Sequence, residues 1–89
     1  MSDRPVIKAQ EINKTFSELQ RRMRDRLNEK GPGSFVSRHE ILGALQEEWD
    51  EFKETVHSST FSDTKDELFD LAVGAVFAIA CINAGKVGW

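Results

Sequence analysis

The stretch from Leu68 to Ile82 constrains this chain more than any other. Leu68-Phe69-Asp70-Leu71-Ala72-Val73-Gly74-Ala75-Val76-Phe77-Ala78-Ile79-Ala80-Cys81-Ile82 carries one charge, Asp70, and is otherwise apolar on nearly every helical face. A helix that is hydrophobic all round has to be buried all round. A chain of 89 residues supplies only two more helices of similar length, too few to cover such a rod. The expectation is an all-α, three-helix subunit that assembles into a multi-helix bundle across a dimer or tetramer interface. Residues 1–89 read as one domain, with no internal repeat or low-complexity segment.

The first helix is expected from about Val6 to Lys30. Ile12, Phe16, Leu19, Met23 and Leu27 form one apolar stripe at helical spacing, and Gly31-Pro32-Gly33 stops it. Arg21, Arg22, Arg24 and Arg26 lie off that stripe, either as a solvated face or as a positive rim able to meet phosphate. The second helix is expected over about 37–57. Ser37-Arg38-His39-Glu40 matches a capping box, and Ile41, Leu45, Trp49, Phe52 and Val56 form the core stripe. The third is expected over about 64–85, capped by Asp63 or Thr64 after a polar turn, Ser58 to Thr64.

Two acidic pairs stand on the second and third helices. Glu48 and Glu51 are three residues apart, as are Glu67 and Asp70, so each pair shares a helix face. If the turn between the helices reverses the chain, four carboxylates meet. Such a cluster repels itself unless a cation sits in it or some of its members are protonated. An all-oxygen donor set suits a hard ion, Mg²⁺ with Mn²⁺ as an alternative. Asp70 adds weight, because an unpaired carboxylate buried in an apolar body costs several kcal/mol. Ala44 and Gly74, each one turn from an acid, leave space beside the cluster. The competing reading of Glu47, Glu48 and Glu51 is a solvated acidic face.

Other chemistries find little support. Glu54-x-x-His57 lacks the second Glu-x-x-His pair that a di-iron bundle needs, and His57 reads as a helix C-terminal residue facing free carbonyls. His39 reads as an ordinary surface residue. The lone Cys81, among apolar neighbours, reads as a buried thiol with no disulfide framework. A net charge of −3 gives no field for drawing in a nucleic-acid polymer. The longest apolar run, Leu71 to Ile82, is too short to span a bilayer, and Met-Ser-Asp-Arg-Pro lacks the apolar core of a signal peptide. A cytoplasmic location is the expectation.

Glu47-Glu48-x-x-Glu51 followed by Glu67-x-x-Asp70 resembles the signature of the all-α nucleoside triphosphate pyrophosphohydrolases, the MazG-like superfamily. The resemblance covers roughly Ser37 to Gly85. It implies Mg²⁺ held by Glu48, Glu51, Glu67 and Asp70 with Glu47 nearby, and hydrolysis of a nucleoside or deoxynucleoside triphosphate to the monophosphate and pyrophosphate. The candidates for a carboxylate that orients or deprotonates the attacking water are Glu47, Glu48 and Glu51.

Two acid-bearing helices offer little to a base. A further wall is therefore expected from Gly33–His39, with Phe35 as a stacking surface, or from the first helix, within the subunit or across its boundary. Phosphate contacts are expected among Arg21, Arg22, Arg24, Arg26, Arg38 and Lys86, with Arg38 and Lys86 carried forward as substrate-binding residues. The alternative function is a non-catalytic helical oligomer whose acidic cluster is structural or binds a cation without turnover.

Overall fold

A computed structural model describes residues 3–89. Met1 and Ser2, the start of the stretch read above as lacking a leader, lie outside the described residues. Those residues form three helices and no strand: α1 Ala9–Lys30, α2 Arg38–Ser58 and α3 Phe61–Asn83. The all-α expectation therefore holds for the subunit.

The element boundaries follow local chemistry that refines the expected ones. Helix α1 begins at Ala9, later than Val6, where Glu11 reaches back to accept a hydrogen bond from the Lys8 N–H. At α2 the Ser37 hydroxyl accepts from the Glu40 N–H at 3.1 Å, which is half of the expected capping box. The other half differs, because Glu40 Oε1 accepts from the Val36 N–H at 2.8 Å instead of that of Ser37.

The cap of α3 is Thr60, rather than Asp63 or Thr64. Its hydroxyl accepts from the Asp63 N–H at 3.1 Å while the Asp63 carboxylate accepts from the Thr60 N–H. Asp63 thus takes the third helical position of a complete box, and the turn read over Ser58–Thr64 contracts to Ser59 and Thr60. That short connection forces α2 and α3 back to back. Helix α3 ends in a Schellman pattern: the Gly85 N–H bonds Ile82 O and the Lys86 N–H bonds Cys81 O. Gly85, at φ 71°, supplies the left-handed residue that this ending needs.

Helices α1 and α2 each pack on α3 and not on one another. Phe69, Val73, Phe77, Ala78 and Cys81, all on α3, make the buried core. The α2 face turned inward differs from the expected stripe. Thr55 is buried at 8% exposure, whereas Val56 is 56% exposed and Trp49 44%. The inward series is Ile41, Leu45, Glu48, Phe52 and Thr55, a four-three repeat that places Glu48 within the packing face. Thr55 satisfies its hydroxyl on Phe52 O at 2.8 Å, so its burial leaves no donor stranded.

The residues after α3 do not add a helix; they dock. The Gly88 N–H donates to Val36 O at 2.8 Å and the Arg38 N–H to Trp89 O at 2.7 Å. The Trp89 ring lies against His39, centroids 5.6 Å apart. The tail thereby fixes the segment that carries Phe35, whose ring meets Phe77 edge-on at 5.7 Å. No helix of the described residues is long and apolar enough to cross a membrane.

Candidate functional site

Because α2 and α3 run back to back, the two acidic pairs face one another. Glu48, Glu67 and Asp70 each bring a carboxylate oxygen to within 4.8 Å of the others. Glu48 and Glu67 are half-buried and Asp70 is exposed. The expectation of a buried Asp70 is thus not met within a single subunit: its side chain emerges at the edge of the α3 apolar body, beside the α1 helix.

The electrostatics follow from crowding. Burial is the largest cause raising the Glu48 pKa, followed by the charges of Glu51 and Asp70, with Lys30 opposing them. Glu67 is raised by burial, then by the charges of Asp70 and Glu51 and by the close approach of the Glu51 carboxylate. Asp70 is raised by burial and by Asp66, against the opposing charges of Arg22 and Lys30. Glu48 Oε2 and Glu67 Oε2 are sealed from solvent without a hydrogen-bond partner. A buried carboxylate oxygen with no donor is costly as it stands. The site therefore has three convergent carboxylates, two of which carry an oxygen with unmet acceptor capacity, and no nitrogen or sulfur donor. That donor set fits a hard divalent cation.

The four expected ligands are thus brought together unequally. Glu48, Glu67 and Asp70 converge, and Glu51 stands beside Glu67 and Glu48, half-buried, as a flanking acid. Glu47 is exposed and reaches the cluster only through its charge on Glu48.

Next to the acids, between α1 and α2, lies a cavity of about 350 Å³. Glu48, Asp70, Ala44, Gly74 and Phe35 form one side, and α1 lines the other with three cations, Arg22, Arg26 and Lys30, and two acids, Asp25 and Glu29. Phe35, expected as a stacking surface for a base, lines the cavity and also packs edge-on against Phe77. Arg38 and Lys86 are not: both are exposed, and neither lines the cavity. Ala44 leaves room as expected. Gly74 does so only in part, because a Cβ there would come within 2.9 Å of Leu45 Cδ2, so its missing side chain admits Leu45.

The cations of α1 play different parts. Arg22 pairs with Asp66 at 2.9 Å and Glu18 at 3.5 Å, and its guanidinium lies over Phe69 at 4.5 Å. Arg21 is paired with Glu18 in solvent, and Arg24 is exposed away from the cavity. Arg26 lies over Phe77 at 3.9 Å. The sequence did carry a signal for this wall: Arg22, Arg26 and Lys30 recur every four residues and so share one helix face.

No protein-family model matches the chain, and no curated protein or solved structure is significantly similar to it.

Proposed function

We propose that this protein is a cytoplasmic, Mg²⁺-dependent nucleoside triphosphate pyrophosphohydrolase that releases a nucleoside or deoxynucleoside monophosphate and pyrophosphate. The observation that carries the reading is the convergence of Glu48, Glu67 and Asp70 within 4.8 Å, with two buried carboxylate oxygens lacking any donor. The MazG-like resemblance of Glu47-Glu48-x-x-Glu51 and Glu67-x-x-Asp70 points the same way.

Glu48, Glu67 and Asp70 would hold the ion, with Glu51 beside them; Mn²⁺ would serve the same oxygen set. When bound, the cation offsets phosphate charge that the acids would otherwise repel and polarises the phosphoryl group. In this reading Glu51 would orient the attacking water and accept its proton, and the exposed Glu47 would pass that proton to solvent. Water oxygen bonds to phosphorus as the bond to the bridging oxygen breaks, and pyrophosphate departs with the bonding electrons. The cavity beside the acids would take the substrate, with Phe35 as a wall for the base and the α1 cations Arg22, Arg26 and Lys30, which share their wall with Asp25 and Glu29, meeting phosphate.

The same reading includes a homodimer or a dimer of dimers. Leu68, Val76, Ile79 and Ile82 remain exposed on α3, together with Ile12 and Phe16 on α1. Ile12, Phe16 and Leu68 share one groove and Phe16 and Val76 another, and exposed apolar side chains gathered in this way mark an interaction surface. A second copy, packing α3 against α3, is the occupant that a helix apolar on all sides calls for.

The test is a panel of ribo- and deoxyribonucleoside triphosphates assayed for pyrophosphate release with Mg²⁺, Mn²⁺ and chelator. Release of pyrophosphate that chelator abolishes is the expected result. A panel without turnover, alongside intact cation binding, would establish the non-catalytic oligomer instead.

A further inference from the structure

Among the described residues, the α1 wall of the cavity contains one cation with a donor that is both sealed from solvent and unpartnered. Arg26 is half-buried, its guanidinium stacked 3.9 Å from the Phe77 ring centre, and its Nη1 is sealed from solvent with no hydrogen-bond partner. It forms no ion pair among the described residues. Arg22, one turn earlier and in the same wall, has two carboxylate partners. A guanidinium carries five donors in a rigid fork and does not lose its charge in proteins. The aromatic face beneath Arg26 holds that fork in plane and compensates part of its desolvation. Arg26 meets the cavity with the part of its side chain other than the sealed Nη1, on a wall it shares with Asp25 and Glu29. A pre-positioned cation across from a carboxylate cluster is suited to an anion arriving with a metal ion.

We propose that Arg26 is the anion receptor of this cavity and binds a phosphate group of the ligand, while Arg22 acts as a structural tie between α1 and α3. The ligand class is an organic di- or triphosphate, with inorganic pyrophosphate as its minimal mimic. This rests on the pyrophosphohydrolase reading for the identity of the ligand, but the receptor role belongs to Arg26 itself. Lys30, at the same cavity, is a compact point charge without the fork and adds to the field more than to the geometry.

The experiment is calorimetric titration of inorganic pyrophosphate into the wild type, Arg26→Gln, Arg26→Lys and Arg24→Gln, in Mg²⁺ and separately in chelator. Mn²⁺ binding is followed by electron paramagnetic resonance in each protein. Arg24→Gln makes the same charge change on the same helix outside the cavity and controls for net charge. Arg26→Gln is expected to weaken pyrophosphate binding roughly tenfold to a hundredfold, the range for losing charge-assisted hydrogen bonds, with Mn²⁺ affinity retained. Arg26→Lys should keep part of the affinity, and it carries the test if Arg26→Gln does not fold.

Wild-type pyrophosphate affinity in the Arg26 variants, or a loss of melting temperature with no change in affinity, would overturn the assignment and leave Arg26 as packing. Failure of the wild type to bind Mn²⁺ would overturn the enzymatic reading instead. In that event the chelator arm still judges Arg26, which must weaken binding there or be abandoned.

Discussion

The two sides of α3 are built from opposite materials. Toward α2 and the end of α1 lie Glu48, Asp70, Arg26 and Phe35 around a cavity of about 350 Å³, with Glu67 beside the two acids. Toward the start of α1 lies a larger groove of about 570 Å³, lined by Ile7, Ile12, Phe16, Leu19, Leu68 and Ala72 among others. The first side has unmet polar bonds and the second has unmet apolar surface. A buried polar atom without a partner is relieved by a ligand of opposite charge. Exposed apolar area is relieved by any well-fitting apolar surface, without direction. One helix therefore presents a small, directional site on one side and a broad, non-directional one on the other.

The largest effect is expected on the polar side. Asp70→Asn keeps the shape and removes the charge, so the subunit should stay folded while activity falls by on the order of a hundredfold or more. Outer-shell partners of a metal already cost about 10- to 100-fold when lost, and a direct ligand should cost at least that. Asp70 is exposed, so folding should be spared. Steady-state turnover together with circular dichroism checks both halves. Undiminished turnover would remove Asp70 from the ligand set.

On the apolar side Val76→Glu should do the reverse. Val76 is 43% exposed on α3 and shares a surface depression with Phe16, Leu19 and Met23, edged by Gln20 and Arg24. A carboxylate there tolerates solvent but not a dry interface. Light scattering should show the mass falling to that of one subunit at micromolar concentration, and Mn²⁺ affinity of the remaining folded protein should change little. A wild-type protein that is already a stable monomer would end the oligomer proposal outright.

Phe35 stands where the contrast blurs, since it lines the polar cavity yet packs on Phe77. Phe35→Ala should raise KM roughly tenfold with a smaller change in kcat, the range of base–aromatic stacking. Loss of the edge-on contact should also lower the melting temperature slightly. A lower melting temperature with an unchanged KM would place Phe35 with the packing residues.

What could be read in the sequence follows from the range of the interactions. Helix identity and the α2–α3 reversal were legible because acidic pairs, breakers and caps act over three or four residues. The cap of α3 was misplaced because Thr60 and Asp63 are both good cap residues, and only the reciprocal bonds choose between them. The α2 rotation was missed because Thr55 and Val56 compete for one inward position. Hydrophobicity favours Val56, whereas the tight turn at Ser59 and Thr60 sets the angle that buries Thr55. The role of α1 was the least legible. Arg22 differs from Arg26 partly through Glu18, four residues before it, and mainly through Asp66, forty-four residues away, which pairs with one and not the other.

The smallest effect concerns pH, and its sign follows from the acids alone. Glu48, Glu67 and Asp70 all hold protons more tightly folded than unfolded, chiefly through burial. Between the unfolded carboxylate value, about 4.3 for glutamate, and their raised folded values, the folded state carries more protons. Stability from these groups is therefore full below the unfolded value and is lost as pH rises through the folded one. In chelator the melting temperature should decline as pH increases across this window, with other groups adding their own slopes. Glu48→Gln removes the central charge of the cluster, where Glu51, Asp70 and Glu47 oppose it and Lys30 alone supports it. Its decline should be shallower, so that the variant gains on the wild type at neutral pH and not in acid. Added Mg²⁺ should close that gap by stabilising the wild type more than the variant. Parallel pH curves for the two proteins would mean that the three carboxylates are not strained by their proximity, and that the unmet oxygens find solvent.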